Sequence, residues 1–66
     1  MNKEIIKGKW NQLKGEAKIQ WGKFTDDELE EIKGSYDKIV GKLQERYGYG
    51  KDRAKKEVDT FFDKYR

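Results

Sequence analysis

The side chains that could do chemistry fall in two short runs. The first is "TDDELEEI", residues 25–32, which holds five acids and no base. Paired carboxylates can act as general acid and base, but they need a sheltered cleft. Asp26, Asp27, Glu28, Glu30 and Glu31 instead sit at a helix start, and they lack the spaced ligands and central glycine of a calcium loop. They read as helix-capping groups and partners for nearby lysines. The second run is "YGYGKDRA", residues 47–54, a glycine turn that opens a helix. Backbone N–H groups at such a turn can hold a phosphate, and Lys51 and Arg53 would add charge. Gly48, Tyr49, Gly50, Lys51 and Arg53 are therefore the candidate nucleic-acid contacts. Outside these runs little is reactive. Thr25, Ser35 and Thr60 are the only hydroxyls besides the tyrosines, and no histidine stands by as a base. The absence of His and Cys also removes zinc sites of the usual ligand types and thiol or imidazole catalysis. These residues predict a protein that is not an enzyme, with no metal, no cofactor and no small-molecule substrate.

The turn at 47–54 resembles the hairpin of helix–hairpin–helix DNA-binding modules, with a G-x-G turn and Ala54 four residues after Gly50. It departs from that pattern in two places. Tyr47 stands where a proline is usual, and Val58 comes one position late. The corresponding turn earlier in the chain, "WGKFTDDEL", is acidic and would repel phosphate. Both readings of residues 47–54, phosphate contact and plain interhelical turn, stay open on sequence.

The elements that must hold these runs are helices. At about 100° per residue, Ile6, Trp10, Leu13, Ala17, Trp21 and Phe24 share one face, which predicts an amphipathic helix over residues 3–21. Lys3, Lys7, Lys14 and Lys18 flank that stripe as solvated side chains covering the core. Thr25 and Glu28 form a capping-box pair, Phe24 and Leu29 a hydrophobic staple, and Asp26 and Asp27 suit the first turn. Leu29, Ile32, Tyr36, Ile39, Val40, Leu43 and Tyr47 continue on one face. This is either one helix of about 20 residues or two, broken at Gly34 with Ser35 capping the second. Gly48 stops it. A last helix turns Ala54, Val58, Phe61, Phe62 and Tyr65 inward and Arg53, Lys56, Thr60 and Lys64 outward.

Glycines recur every seven residues, at Gly8, Gly15, Gly22 and again at Gly34, Gly41, Gly48. Each one inside a helix costs roughly 1 kcal/mol relative to alanine. Gly22 and Gly48 read as helix C-caps. Gly15 and Gly41 lie mid-helix, opposite the apolar stripe and on the side of Ile5 and Ile19. They predict close approach of another backbone, internal or a partner's.

Sixty-six residues allow one domain, spanning 1–66, that buries only about 60% of its unfolded surface. The apolar fraction is 33% and the charged fraction 44%, near the composition of disordered chains. Nine aromatic residues, a net charge of only +3 and the strict periodicity favour folding. The chain starts basic (net +4 over 1–24), turns acidic (−5 over 25–32) and ends basic, which points to internal pairing as readily as to an external partner. No apolar run approaches the ~20 residues of a membrane span, and "MNKEIIKGKW" has no signal-peptide core.

An internal repeat emerges at an offset of 26 residues: Lys7/Lys33, Gly8/Gly34, Gly15/Gly41 and Gly22/Gly48 are identities, and Trp10/Tyr36 and Trp21/Tyr47 are like for like. Across nearly the whole chain, "GKWNQLKGEAKIQWGKFTDDELEEIKG" followed by "KLQERYGYGKDRAKKEV" resembles the CsbD-like family of small bacterial general stress-response proteins. The resemblance implies a cytoplasmic stress-response protein. It also implies an all-α fold of three or four helices, two packed helical hairpins of the SAM-domain-like class. It carries over no biochemical activity and no functional residue. Weak nucleic-acid binding at 47–54 and protein docking on the glycine-bearing faces are the two alternatives for what such a protein does.

Overall fold

The computed structural model describes residues 3–65, with side chains described from Ile6 to Tyr65. Five helices follow in order: α1 (Lys3–Gly8), α2 (Trp10–Gln20), α3 (Asp26–Ile32), α4 (Tyr36–Tyr47) and α5 (Lys51–Lys64). No strand occurs among the described residues, and none of their helices is long and apolar enough to cross a membrane. α2 packs on α3, and α4 on α5. The expected helix over 3–21 is thus two helices, separated at Lys9 (φ −105°, ψ 9°). The break follows Gly8, a weak helix former. It swings the backbone of Ile6 and Lys7 against Gly34.

The junctions are set by local chemistry. The expected capping box is present: Thr25 Oγ1 accepts from the Glu28 N–H at 3.1 Å, and Glu28 Oε1 accepts from the Thr25 N–H at 3.0 Å. Phe24 and Leu29 are both buried beside it. Of the two readings of the middle segment, the broken one is realised. Lys33 (φ 52°) and Gly34 (φ 75°) take successive left-handed conformations, and Ser35 caps α4 by accepting from the Lys38 N–H. Gly48 (φ 68°) ends α4 in the left-handed cap expected of it. Gly22 does not play that part. Trp21 is the C-cap of α2, with φ −128° and its N–H donating to the Ala17 carbonyl.

The predicted faces converge on one core. Ile6, Trp10, Leu13, Ala17, Trp21, Phe24, Leu29, Ile32, Ile39, Val40, Leu43, Ala54, Val58, Phe61 and Phe62 are all buried. Trp10 Nε1–H donates to the Leu29 carbonyl at 2.6 Å, joining α2 to α3. The Trp21 ring lies 5.0 Å from Phe61, and its Nε1–H reaches Glu57 Oε1 at 3.4 Å, joining the first hairpin to α5. Tyr36, Tyr47 and Tyr65 pack on the core but stay half-buried. A phenol keeps its hydroxyl at the boundary when its partner is there. Tyr36 bonds Asp59; burial, and then this carboxylate, push its pKa up to about 12.

The mid-helix glycines correct the expectation of an internal backbone against them. A Cβ built at Gly15 or at Gly41 meets nothing within 4 Å, and Ile19, on the same side as Gly15, is 79% exposed. The side chain of Ile5 lies outside the described residues. The close backbone approach occurs at Gly34 instead. Since both mid-helix sites are open, Gly15→Ala and Gly41→Ala should each stabilise the fold, by about 0.4–1 kcal/mol. Denaturant midpoints of the two variants check this, and a loss at either site would reveal a neighbour not accounted for.

Three acids of the run, Asp26, Glu28 and Glu30, pair internally. Lys14 pairs with Glu30, and Lys18 Nζ lies 3.1 Å from Asp26 Oδ1. Exposed pairs of this kind contribute about 0–1 kcal/mol each. Glu28 is different because it is buried. Its Oε2 accepts from Arg46 Nε at 2.8 Å and Nη2 at 2.7 Å, with Lys42 Nζ at 3.8 Å, so it ties α3 to α4. The Thr25 N–H, opposed by burial and helped by Arg46, holds its carboxyl below the usual range. A depressed carboxylate stabilises the fold fully above its unfolded-state pKa, about 4.3, and that contribution is lost as pH falls through the lower folded-state value. Glu28→Gln should therefore start from a lower thermal midpoint at neutral pH and lose less of it on acidification. Equal acid sensitivity of variant and wild type would remove Glu28 from the acid transition.

Candidate nucleic-acid interface

The turn between α4 and α5 is built by two glycines with different tasks. Gly48 supplies the left-handed residue, and its N–H donates to the Gln44 carbonyl at 3.1 Å. Gly50 is extended (φ −66°, ψ 163°) and is the N-cap of α5, with no side-chain hydrogen bond to the helix. The first N–H groups of a helix have no partner within it. At α3 and α4 a side chain meets this need, through Thr25 and Ser35; at α2 and α5 none does. Lys51 is exposed at the first position of α5, and Asp52 is exposed beside it. The α5 start thus carries both the cation that would favour a phosphate and an acid that would oppose one.

Tyr49 and Arg53 are brought together. The Arg53 guanidinium carbon lies 4.0 Å from the Tyr49 ring centroid. The Tyr49 ring leans on Tyr47, with centroids 5.2 Å apart and planes at 36°. Tyr47 is itself rooted. Its ring meets Phe24 edge-on at 6.2 Å, and its hydroxyl accepts from the Lys23 N–H at 3.1 Å. The Lys23 ammonium sits 5.1 Å from the Tyr47 centroid. Each cation–ring contact is worth about 0.5–1 kcal/mol at an exposed site, enough to bias Arg53 onto the ring. Tyr47 and Lys23 belong to this patch although sequence reasoning placed neither among the contacts. "YGYG" was the available signal for the two rings; Lys23 has none, because it arrives from the other hairpin. Lys56 and Lys64 point outward along α5, as their spacing predicts.

Elsewhere the described surface includes, besides an open groove lined by Lys7, Gly8, Trp10, Asn11, Glu30 and Lys33, two further open grooves. One runs between α2 and α3 over Gly15, spanned by the Lys14–Glu30 and Lys18–Asp26 pairs. The other runs between α3 and α4 over Gly41, walled by Glu31, Lys38, Lys42 and Glu45. The three hydroxyls have structural work: Thr25 and Ser35 cap helices, and Thr60 Oγ1–H donates to the Lys56 carbonyl at 3.0 Å. No group of three or more Asp or Glu suited to a metal ion occurs among the described residues.

Comparison with known proteins agrees with the resemblance. The CsbD-like family model matches residues 4–56, which include the α4–α5 turn. The UPF0337 protein pc0632 of Protochlamydia amoebophila is 50% identical over 66 residues, all of both chains. The UPF0337 protein YjbJ of Escherichia coli is 57% identical over 61 residues, 92% of this chain and 88% of that one. The UPF0337 protein PA4738 of Pseudomonas aeruginosa is 53% identical over 64 residues, 97% and 98% of the two chains. With a family match over most of its length and relatives at half identity across it, the chain belongs to the CsbD-like family.

Proposed function

We propose that the chain is a non-enzymatic, cytoplasmic stress-response protein of bacteria that acts through its surface, by weak and sequence-independent contact with nucleic acid at the α4–α5 turn. The stress role rests on the family resemblance. The non-enzymatic reading is supported by the structural engagement of Thr25, Ser35 and Thr60 and by the absence of His and Cys. One observation carries the binding reading: the α5 N-terminus lacks a side-chain cap and stands beside exposed Lys51 and ring-bound Arg53. One or two phosphates at this turn would release few counterions. Affinity at physiological salt then falls in the ~10⁻⁴–10⁻⁶ M range of non-specific binding. Titration of nucleic acid at low and moderate salt, with Lys51→Glu as control, tests it. Binding should weaken with salt and vanish in the variant. No binding at low salt, or indifference to Lys51→Glu, returns the turn to a structural role.

A second reading is protein docking over Gly15 and Gly41. It is favoured by the open space at both glycines and by the exposure of Ile19. A pull-down from stressed cells with and without nuclease separates the two. Partners that survive nuclease favour docking, and partners that depend on nucleic acid favour the turn.

A further inference from the structure

We infer that the stack Tyr47–Tyr49–Arg53 is a base-stacking platform, so that the nucleic acid taken by this surface is single-stranded. The inference rests on the nucleic-acid reading above and narrows its partner. The three groups rise from the core outward. Tyr47 is fixed by the Phe24 edge and the Lys23 N–H, Tyr49 leans against Tyr47 with the ring planes inclined by 36°, and the Arg53 guanidinium carbon lies 4.0 Å from the Tyr49 centroid. Arg53 is exposed, so a ligand can reach it from solvent. Aromatic rings and guanidinium planes are the groups on which unpaired bases stack. A guanidinium biased onto the ring before binding has less rotamer freedom to lose, which lowers the entropic cost of association. A base can extend the stack over Arg53 or take its place on Tyr49.

A duplex cannot use this platform. Its bases are covered on both faces by their neighbours, and nothing at the turn is shaped to enter a groove and read base edges. Electrostatics alone would be a poor basis for binding here, because Asp52 shares the turn with Lys51. Stacking supplies what charge does not. An acidic peptide would meet the same cations but gain nothing from the stack.

The test compares four ligands by fluorescence anisotropy with the whole chain. They are a short oligothymidylate, an abasic oligonucleotide of the same length, the duplex of that oligothymidylate with oligoadenylate, and polyglutamate of matched charge. The oligothymidylate should bind at least about tenfold tighter than the abasic strand. Arg53→Lys keeps the charge and loses the plane. It lies on an exposed position, so the fold, checked by circular dichroism, should be unchanged, while oligothymidylate affinity falls toward the abasic level. Tyr49→Leu should do the same. Equal binding of the oligothymidylate, abasic strand and duplex, lost together in Lys51→Glu, overturns the stacking inference and leaves the phosphate contact standing. Polyglutamate bound as tightly as oligothymidylate overturns it in favour of an acidic protein partner. Binding of none of them overturns the inference together with the reading beneath it.

Discussion

Trp10→Ala should leave the chain without a cooperative unfolding transition. The ring is 5% exposed, in the seam between α2 and α3, and its Nε1–H is the partner of the Leu29 carbonyl. Truncating a buried Trp to Ala costs about 3–5 kcal/mol. Sixty-six residues supply a total stability of about 3–10 kcal/mol, so this loss takes most or all of it. The carbonyl left behind adds to the damage unless water reaches it. Thermal and denaturant unfolding followed by circular dichroism check the result. Trp10→Phe separates the two contributions: it keeps most of the apolar volume and loses the donor, and should remain folded at a lower midpoint. A cooperative Trp10→Ala variant with an unchanged midpoint would remove Trp10 from the core.

Gly34→Ala should be the next most damaging change, for two independent reasons. The residue has φ +75°, where a Cβ costs about 1–2 kcal/mol. That Cβ would also lie 3.0 Å from the Lys7 Cα and 3.1 Å from the Ile6 carbonyl oxygen. Both are backbone atoms, so relief requires α1 to move away, with an overpacking cost of about 1–3 kcal/mol more. Gly48→Ala isolates the first reason. Its φ is +68°, but nothing lies within 4 Å of the added Cβ. Gly48→Ala should therefore cost about 1–2 kcal/mol. Gly34→Ala should cost clearly more, and equal losses would mean that the contact with α1 carries no weight.

These two glycines also mark how far the sequence could be read. Features decided within a turn of helix were legible. The Thr25–Glu28 capping box, the Gly48 stop and the buried stripe from Ile6 to Phe24 depend only on residues a few positions apart. Features decided across the chain were not. The seven-residue beat places Gly15 and Gly41 on a common face, but it cannot say whether anything stands opposite. The neighbour stands opposite Gly34, because α1 breaks away at Lys9, and the one local signal there, Gly8, is shared with Gly15, where the helix continues. The same limit explains the choice between one helix and two around Gly34: local signals allowed both, and contact with α1 favours the left-handed pair Lys33–Gly34. At the candidate site, Gly48 to Arg53 could be picked out from a glycine turn followed by cations. The stacking of Arg53 on Tyr49, and the arrival of Lys23 beside Tyr47, required the fold.

The order in which the helices pack has a kinetic consequence. α2 lies on α3 and α4 on α5, each pair joined by the short link Trp21–Thr25 or Gly48–Gly50. Most of the core is thus assembled from segments adjacent in the chain, and loop closure costs little before contacts form. The sequence contains no proline whose isomerisation could delay folding and no cysteine whose pairing could go astray. Helical chains of such low contact order fold in microseconds to milliseconds. A marginally stable protein of this build regains its fold as soon as a denaturing condition passes, on a timescale that leaves little opportunity for aggregation.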